Sequence, residues 1–269
     1  MSTVEIAAEV NTKLAAVRET LEREVNGQGA PADSSSSAGR RGDVCLTCSF
    51  QAEDVLLAKL AIAIHPAIPI LFLDTGYHFK ETYEYRDRIA KEWELNLINL
   101  LPEKTVAEQE AEFGLLYQSA PDRCCGLRKV EPLFKAVAEY RVWLTGLRRE
   151  QAKSRAALEE RAMFTLPGGK QVLKLAPLAE WTTRDVWYAC EELGIPLLPL
   201  YERGYSSIGC EPCTSLPTDP NDPRSGRWAG RKVECGIHIE AASGSGTGVS
   251  WRVDGAAETP APPQVAARG

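Results

Sequence analysis

Eight cysteines lie in this chain, and the paired ones offer the most specific chemistry. Cys124-Cys125 is an adjacent pair, and Cys210-Glu211-Pro212-Cys213 is a C-x-x-C in a Gly- and Pro-containing loop. Four thiolates from two loops can hold either a zinc ion or an iron–sulfur cluster. Zinc more often sits between two C-x-x-C knuckles, whereas adjacent cysteines suit a larger cluster with separate iron corners; the spacing leaves both open. Cys45 and Cys48 also form a C-x-x-C, but on an expected strand whose alternation turns the two residues to opposite faces, which argues against a redox pair. Cys190 falls on an expected helix with Val186, Trp187 and Leu193 and reads as core packing. Cys235 alone reads better as a small buried apolar side chain than as a nucleophile. Arg231 and Lys232, close by in sequence, are cations of the kind that favour a thiolate.

Three loops have the composition of anion sites. Ser49-Phe50-Gln51-Ala52-Glu53-Asp54 precedes an expected helix, where backbone N–H groups and the positive helix end face the same space. Taken alone, that segment is better explained as an ordinary Ser N-cap, which is common. Leu73-Asp74-Thr75-Gly76 ends a second strand. Leu144-Thr145-Gly146-Leu147-Arg148-Arg149-Glu150-Gln151 delivers a Gly turn and then two guanidinium groups, suited to bidentate contact with sulfate or phosphate oxygens. Its bland alternative is a solvated Arg pair.

These loops need a scaffold, and the chain alternates the elements of one. Strands are expected at Val44 to Thr47, Ile68 to Leu73, Leu95 to Leu100 and Arg141 to Thr145. Helices are expected at Ala52 to Ile64, Lys80 to Trp93 and Thr183 to Leu193. Such alternation predicts an α/β fold, a parallel sheet flanked by helices with ligands at the carboxyl ends of its strands. Before it, Ile6, Val10, Leu14, Val17 and Leu21 describe one face of an amphipathic helix opened by a Ser2/Glu5 capping box. Asn26 to Arg41, rich in Gly, Ala and Ser, reads as a linker, so residues 1–42 form an N-terminal helix and linker. Residues 43–240 form the main domain, and 241–269, rich in Ala, Gly, Ser and Pro, read as a disordered tail.

With 269 residues and 44% apolar composition the chain can bury one substantial core. A net charge of −6 and a pI near 5.3 argue against a nucleic-acid binder, so any anionic ligand must meet a local cluster of Lys and Arg. The N-terminus lacks the pattern of a signal peptide, and no apolar run is long enough to span a membrane. A cytoplasmic protein is expected, and in that compartment the cysteines read as metal or redox groups rather than disulfides.

Together, Ser49 to Asp54, Leu73 to Gly76 and Leu144 to Arg149 resemble the adenylyl-sulfate and phosphoadenylyl-sulfate reductases, a branch of the PP-loop superfamily. The resemblance runs from about Val44 to Glu240 and implies a Rossmann-like fold. In that fold the Ser49 loop and the Arg148/Arg149 loop surround a sulfonucleotide. Cys124, Cys125, Cys210 and Cys213 look like the [4Fe-4S] signature of the iron–sulfur branch, which implies adenosine 5'-phosphosulfate as substrate. By the same resemblance Lys129 lies near cluster and ligand. Arg224 and Arg227 of Arg224-Ser225-Gly226-Arg227-Trp228 contact the nucleotide, and Cys235 of Glu234-Cys235-Gly236-Ile237-His238 is the nucleophile, later freed by thioredoxin or a glutaredoxin-like reductant. The family pattern usually has Ser after Gln151, where this chain has Ala152. Three alternatives are weaker. They are a phosphoadenylyl-sulfate reductase, an ATP-using PP-loop enzyme, whose usual Ser-Gly-Gly-x-Asp-Ser is missing here, and a non-catalytic iron–sulfur or zinc sensor. A homo-oligomer is compatible with the sequence but not specified by it.

Overall fold

The computed structural model describes residues 3–25, 43–232 and 234–237. The Ser2 cap, the linker, His238 and the 241–269 tail lie outside them. Six strands form one sheet in the order β3-β2-β1-β4-β6-β5: β1 (Val44–Thr47), β2 (Ile70–Leu73), β3 (Leu97–Leu100), β4 (Val142–Thr145), β5 (Arg161–Thr165) and β6 (Gln171–Leu175). All neighbours are parallel except β5, which runs antiparallel to β6 at the edge. That hairpin was not foreseen. The expected strands also begin one or two residues later than the apolar runs, because Pro69 and Asn96 give backbone carbonyls to the ladder without joining it.

Strand alternation sorts the core into two faces. Val44, Leu46, Ile70, Phe72, Val142 and Leu144 face helices α1 (Thr3–Val25), α2 (Ala52–Ile64), α3 (Lys80–Glu92) and α8 (Thr183–Glu192). Cys45, Leu71, Trp143 and Val172 face the opposite way, onto Leu133 and Val137 of α7 (Glu131–Val137). Cys45 and Cys48 accordingly sit in different clusters, and Cys190 is buried in the first. α1 is held to α8 by Lys13, whose ammonium is 2.6 Å from Asp185, itself the N3 residue of the Thr182 capping box.

Between β3 and α7 the chain coils into α4 (Val106–Phe113), α5 (Leu116–Ser119) and α6 (Pro121–Cys125), none of which the apolar pattern announced. A π-helical turn, Gly126–Val130, joins α6 to α7. Pro132 has no N–H to return to Arg128, and the wider i→i+5 turn absorbs the missing bond. Cys124, Cys125 and Lys129, on either side of the start of that turn, line one cavity.

Candidate active site

The sheet's strand order reverses between β1 and β4, so the loops that follow these two strands separate and open a crevice. A cavity of about 620 Å³ fills it. One wall is Ser49, Gln51, Glu53 and Asp54 from the start of α2; another is Gly146, Leu147, Arg148, Gln151 and Arg155 after β4; a third is Arg224, Arg227, Trp228 and Cys235. Gly146 is required by closeness alone, since a Cβ there would lie 2.2 Å from the Asp54 carboxylate.

The Ser49 segment lines the cavity but departs from the Ser N-cap reading. Ser49 caps nothing; the N-cap of α2 is Gln51, without a side-chain cap bond. Ser49 instead donates its N–H and hydroxyl to Asp54 Oδ2, at 2.7 and 2.6 Å. The helix end thus already holds a carboxylate. Burial, and then the Glu53 charge beside it, pushes the Asp54 carboxyl up to about 6. Gln51 turns its amide to the Ile208 N–H at 2.8 Å.

Cations gather opposite this acidic wall. Arg148 is buried, its guanidinium reaching Glu150 at 3.1 Å and the Trp181 carbonyl at 3.3 Å. Arg227 lies 4.5 Å over the Trp228 ring and donates to Ser207 Oγ at 3.2 Å. Burial lowers both Arg227 and Arg224, the latter to about 10. Burial would also lower Lys129, yet the Cys210, Cys125 and Cys235 thiols outweigh it and hold the ammonium above its ordinary value. The exception is Arg149, which does not line the cavity: it donates to the Leu158 carbonyl and pairs with Glu180, both at 2.8 Å. The Arg pair therefore splits, one side chain inward and one to the surface.

Cys124, Cys125, Cys210 and Cys213 line a second, smaller cavity with Tyr77, Tyr117, Arg128, Lys129 and Trp228. Lys129 and Trp228 line both cavities, so the two share a wall. Thr75 Oγ1 is 3.2 Å from Cys210 Sγ, and the Gln109 amide is 4.0 Å from Cys124 Sγ. Arg128 braces this wall from beneath through the Thr75 carbonyl at 2.5 Å and Gln109 Oε1 at 3.1 Å. Burial, and then the neighbouring thiols Cys125, Cys210 and Cys213, pushes Cys124 up to about 11. Burial also raises Cys125 and Cys213. A bound cation would relieve that repulsion. Among the described residues no three His, Cys, Asp or Glu side chains converge closely enough for a single metal ion. The four cysteines line one small cavity.

The segment bearing Cys235 is strung along the cavity. Arg231 donates to the Tyr117 and Gln118 carbonyls, Lys232 lies 2.6 Å from Asp122 of the cysteine-bearing helix α6, and Ile237 packs on the second core. Sequence reasoning missed Arg155 and His78 as lining residues. Arg155 had a signal, lying four residues beyond Gln151 on a basic stretch. His78 had none, since it reaches the cavity by folding back on the end of β2, its ring nitrogen 2.8 Å from the Leu73 carbonyl.

Residues 43–216 match the phosphoadenosine phosphosulfate reductase domain. The chain is 42% identical to the adenosine 5'-phosphosulfate reductase of Rhodococcus opacus, over 83% of this chain and 89% of that one. It is 44% identical to the protein of the same name from Streptomyces coelicolor, over 72% and 81%. The phosphoadenylyl-sulfate reductase of Candida auris, solved as a phosphate complex, superposes with a TM-score of 0.59 at 23% identity, over 80% of this chain and 98% of that one. The Candida glabrata FMN adenylyltransferase bound to FAD and pyrophosphate gives 0.57 at 16% identity, over 81% and 69%, and shares the fold alone. With the match covering all six strands and both crevice loops, the chain belongs to the phosphoadenosine phosphosulfate reductase family.

Proposed function

We propose that this protein reduces adenosine 5'-phosphosulfate to sulfite and AMP in sulfate assimilation in the cytoplasm, with Cys235 as the nucleophile. The observation that carries the reading is one cavity at the switch point lined by Cys235, Lys129, Arg148, Arg224 and Arg227 together. In an acidic protein this is where an anionic ligand would be met. The Cys235 thiolate attacks the sulfate sulfur, and the bond from sulfur to the bridging oxygen breaks. AMP leaves with that electron pair, and the sulfonate stays on Cys235. A dithiol such as thioredoxin or a glutaredoxin-like protein then attacks Cys235 Sγ. Sulfite departs with two electrons, and the second thiol closes the donor's disulfide and restores Cys235.

Cys124, Cys125, Cys210 and Cys213 would hold a [4Fe-4S] cluster, since they line one cavity, would repel one another as thiolates without a cationic group between them, and include an adjacent pair that suits separate iron corners. When bound, the cluster supplies a local field behind Lys129, the dithiol having already supplied both electrons. Anaerobic protein should carry about four irons and four sulfides per chain; stoichiometric zinc without sulfide would refute this. Glu53, Asp54 and Glu150 line the same cavity as the cations. They make a further dianionic phosphate costly, which supports the substrate without a 3'-phosphate over phosphoadenylyl sulfate. Competition kinetics with both sulfonucleotides tests that choice.

The decisive experiment is on Cys235. Without thiol donor, one equivalent of substrate should release AMP and leave a sulfonate adduct of about 80 Da on the Cys235 peptide, as covalent catalysis by a thiolate requires. Cys235→Ser should bind substrate but not turn over, because a serine hydroxyl stays protonated at neutral pH. An adduct on another cysteine, or an active Ser variant, would remove Cys235 from the reaction.

A further inference from the structure

Glu234 adjoins Cys235 but does not line the cavity. Its carboxylate lies behind the wall, 11% exposed, against Arg155, 12% exposed. Arg155 Nε donates to Glu234 Oε1 and Nη2 to Oε2, both at 2.8 Å, a two-pronged contact between segments 79 residues apart. Ser154 Oγ adds a third bond at 3.1 Å, and Arg224 Nη2 a fourth at 3.3 Å. Arg155 and Arg224 themselves line the cavity. Burial would raise the Glu234 carboxyl, but Arg155 and then Arg224 outweigh it, so the group stays charged at neutral pH.

On the other side of Cys235 the chain turns at Gly236, whose φ of +94° glycine alone adopts cheaply, and Ile237 packs on the second core. Cys235 therefore lies between an ionic anchor one residue before it and an apolar anchor two residues after it. The apolar anchor sets how deep the segment sits. The ionic one sets where along the wall the thiol stands, because a fork of two parallel bonds constrains direction as well as distance.

From this we infer that Glu234 is a positioning residue, whose paired bonds to Arg155 hold Cys235 against the cavity at the place where a substrate's sulfur would be attacked. The inference rests on the reading of Cys235 as nucleophile. It goes beyond that reading by assigning a role to a carboxylate that touches neither substrate nor thiol. The same contact gives Arg155 two duties, facing the ligand and fixing the nucleophile. An anion that drew Arg155 away would also loosen Cys235.

The test uses the full-length protein prepared anaerobically, with Glu234→Gln, which keeps the shape and removes the charge, and Glu234→Asp, which keeps the charge on a shorter stem. In ligand-free protein the amides of Cys235 to Ile237 should exchange with deuterium at least about fivefold faster in Glu234→Gln. In single turnovers at saturating substrate, formation of the Cys235 adduct should slow about tenfold or more, with AMP affinity within about threefold of the parent. Glu234→Asp should recover part of both. Exchange and adduct formation within about twofold of the parent would overturn the inference, as would a loss found wholly in AMP affinity. If Glu234→Gln does not fold, Arg155→Lys, which keeps the charge and loses the fork, gives the same exchange readout. Exchange is measured without substrate, so an active Cys235→Ser would refute the nucleophile while leaving the anchor to be judged on its own.

Discussion

Replacing Lys129 by Met removes the one ammonium that lines both cavities while keeping the length and apolar body of the side chain. Lys129 is buried, and the thiols of Cys210, Cys125 and Cys235 surround it strongly enough to override the effect of burial. A charge-assisted contact to an anionic ligand is worth about 1.5–3 kcal/mol. At about 1.4 kcal/mol per decade, Lys129→Met should weaken sulfonucleotide binding roughly ten- to 150-fold. The fold should not suffer comparably, because returning a charge from the interior to water offsets much of what its partners contributed. Urea unfolding should thus move by no more than about 1.5 kcal/mol, the upper end for a volume-conserving swap. The assay is calorimetric titration of adenosine 5'-phosphosulfate into anaerobic Cys235→Ser protein with and without Lys129→Met, the Ser background preventing turnover. Binding within twofold of the Lys129 protein would mean that the ammonium does not face the ligand, and the shared wall between the two cavities would lose its proposed role.

The split Arg pair predicts that Arg148→Ala weakens ligand binding tenfold or more, on the same scale of about 1.5–3 kcal/mol, whereas Arg149→Ala, which loses only exposed contacts to Leu158 and Glu180, changes it less than about threefold in the same titration. For Asp54 the sign follows from its raised carboxyl. The native state favours the protonated form, so its stabilising contribution is present below the unfolded value of about 4 and lost as pH rises through about 6. Asp54→Asn should therefore gain on the parent in urea unfolding by about 2–3 kcal/mol more at pH 7.5 than at pH 4, and an equal difference at both pH values would refute the assignment. For Asp185 the sign is opposite. Burial would raise it, but Lys13 and Arg184 outweigh burial and hold it well below the carboxylate range, so its stabilisation is present above about pH 4 and is lost as acid titrates it. Asp185→Asn should lower stability at pH 7 by about 2 kcal/mol through the lost Lys13 pair and weakened Thr182 capping box, with a smaller deficit at pH 2.5.

Local rules carried the central elements. The apolar runs of β1, β2 and β4 and the helix over Ala52 to Ile64 follow from side-chain pattern, and alternation alone separated Cys45 from Cys48. Of the five cations that line the cavity, the Gly turn and Arg pair after β4 pointed to Arg148, while Lys129, Arg224 and Arg227 came only from the family resemblance. The β5–β6 hairpin escaped because β5 is an edge strand, Arg161–Thr165, largely exposed and weakly alternating, whose pairing is decided by the Gly168-Gly169 turn and the free edge beside β4. Cysteine spacing could say that four thiols were available, but only the return of the chain to pair Cys210 with His78 brings the second pair to the cavity that the first pair lines. The direction of Arg149, the capture of Ser49 by Asp54 and the Glu234–Arg155 contact were likewise beyond the sequence. Each depends on which partner, 5 to 79 residues away, the folded chain brings within hydrogen-bond reach. Residue type sets what a side chain can bind; the crossing of strands and loops at the switch point decides what it does bind.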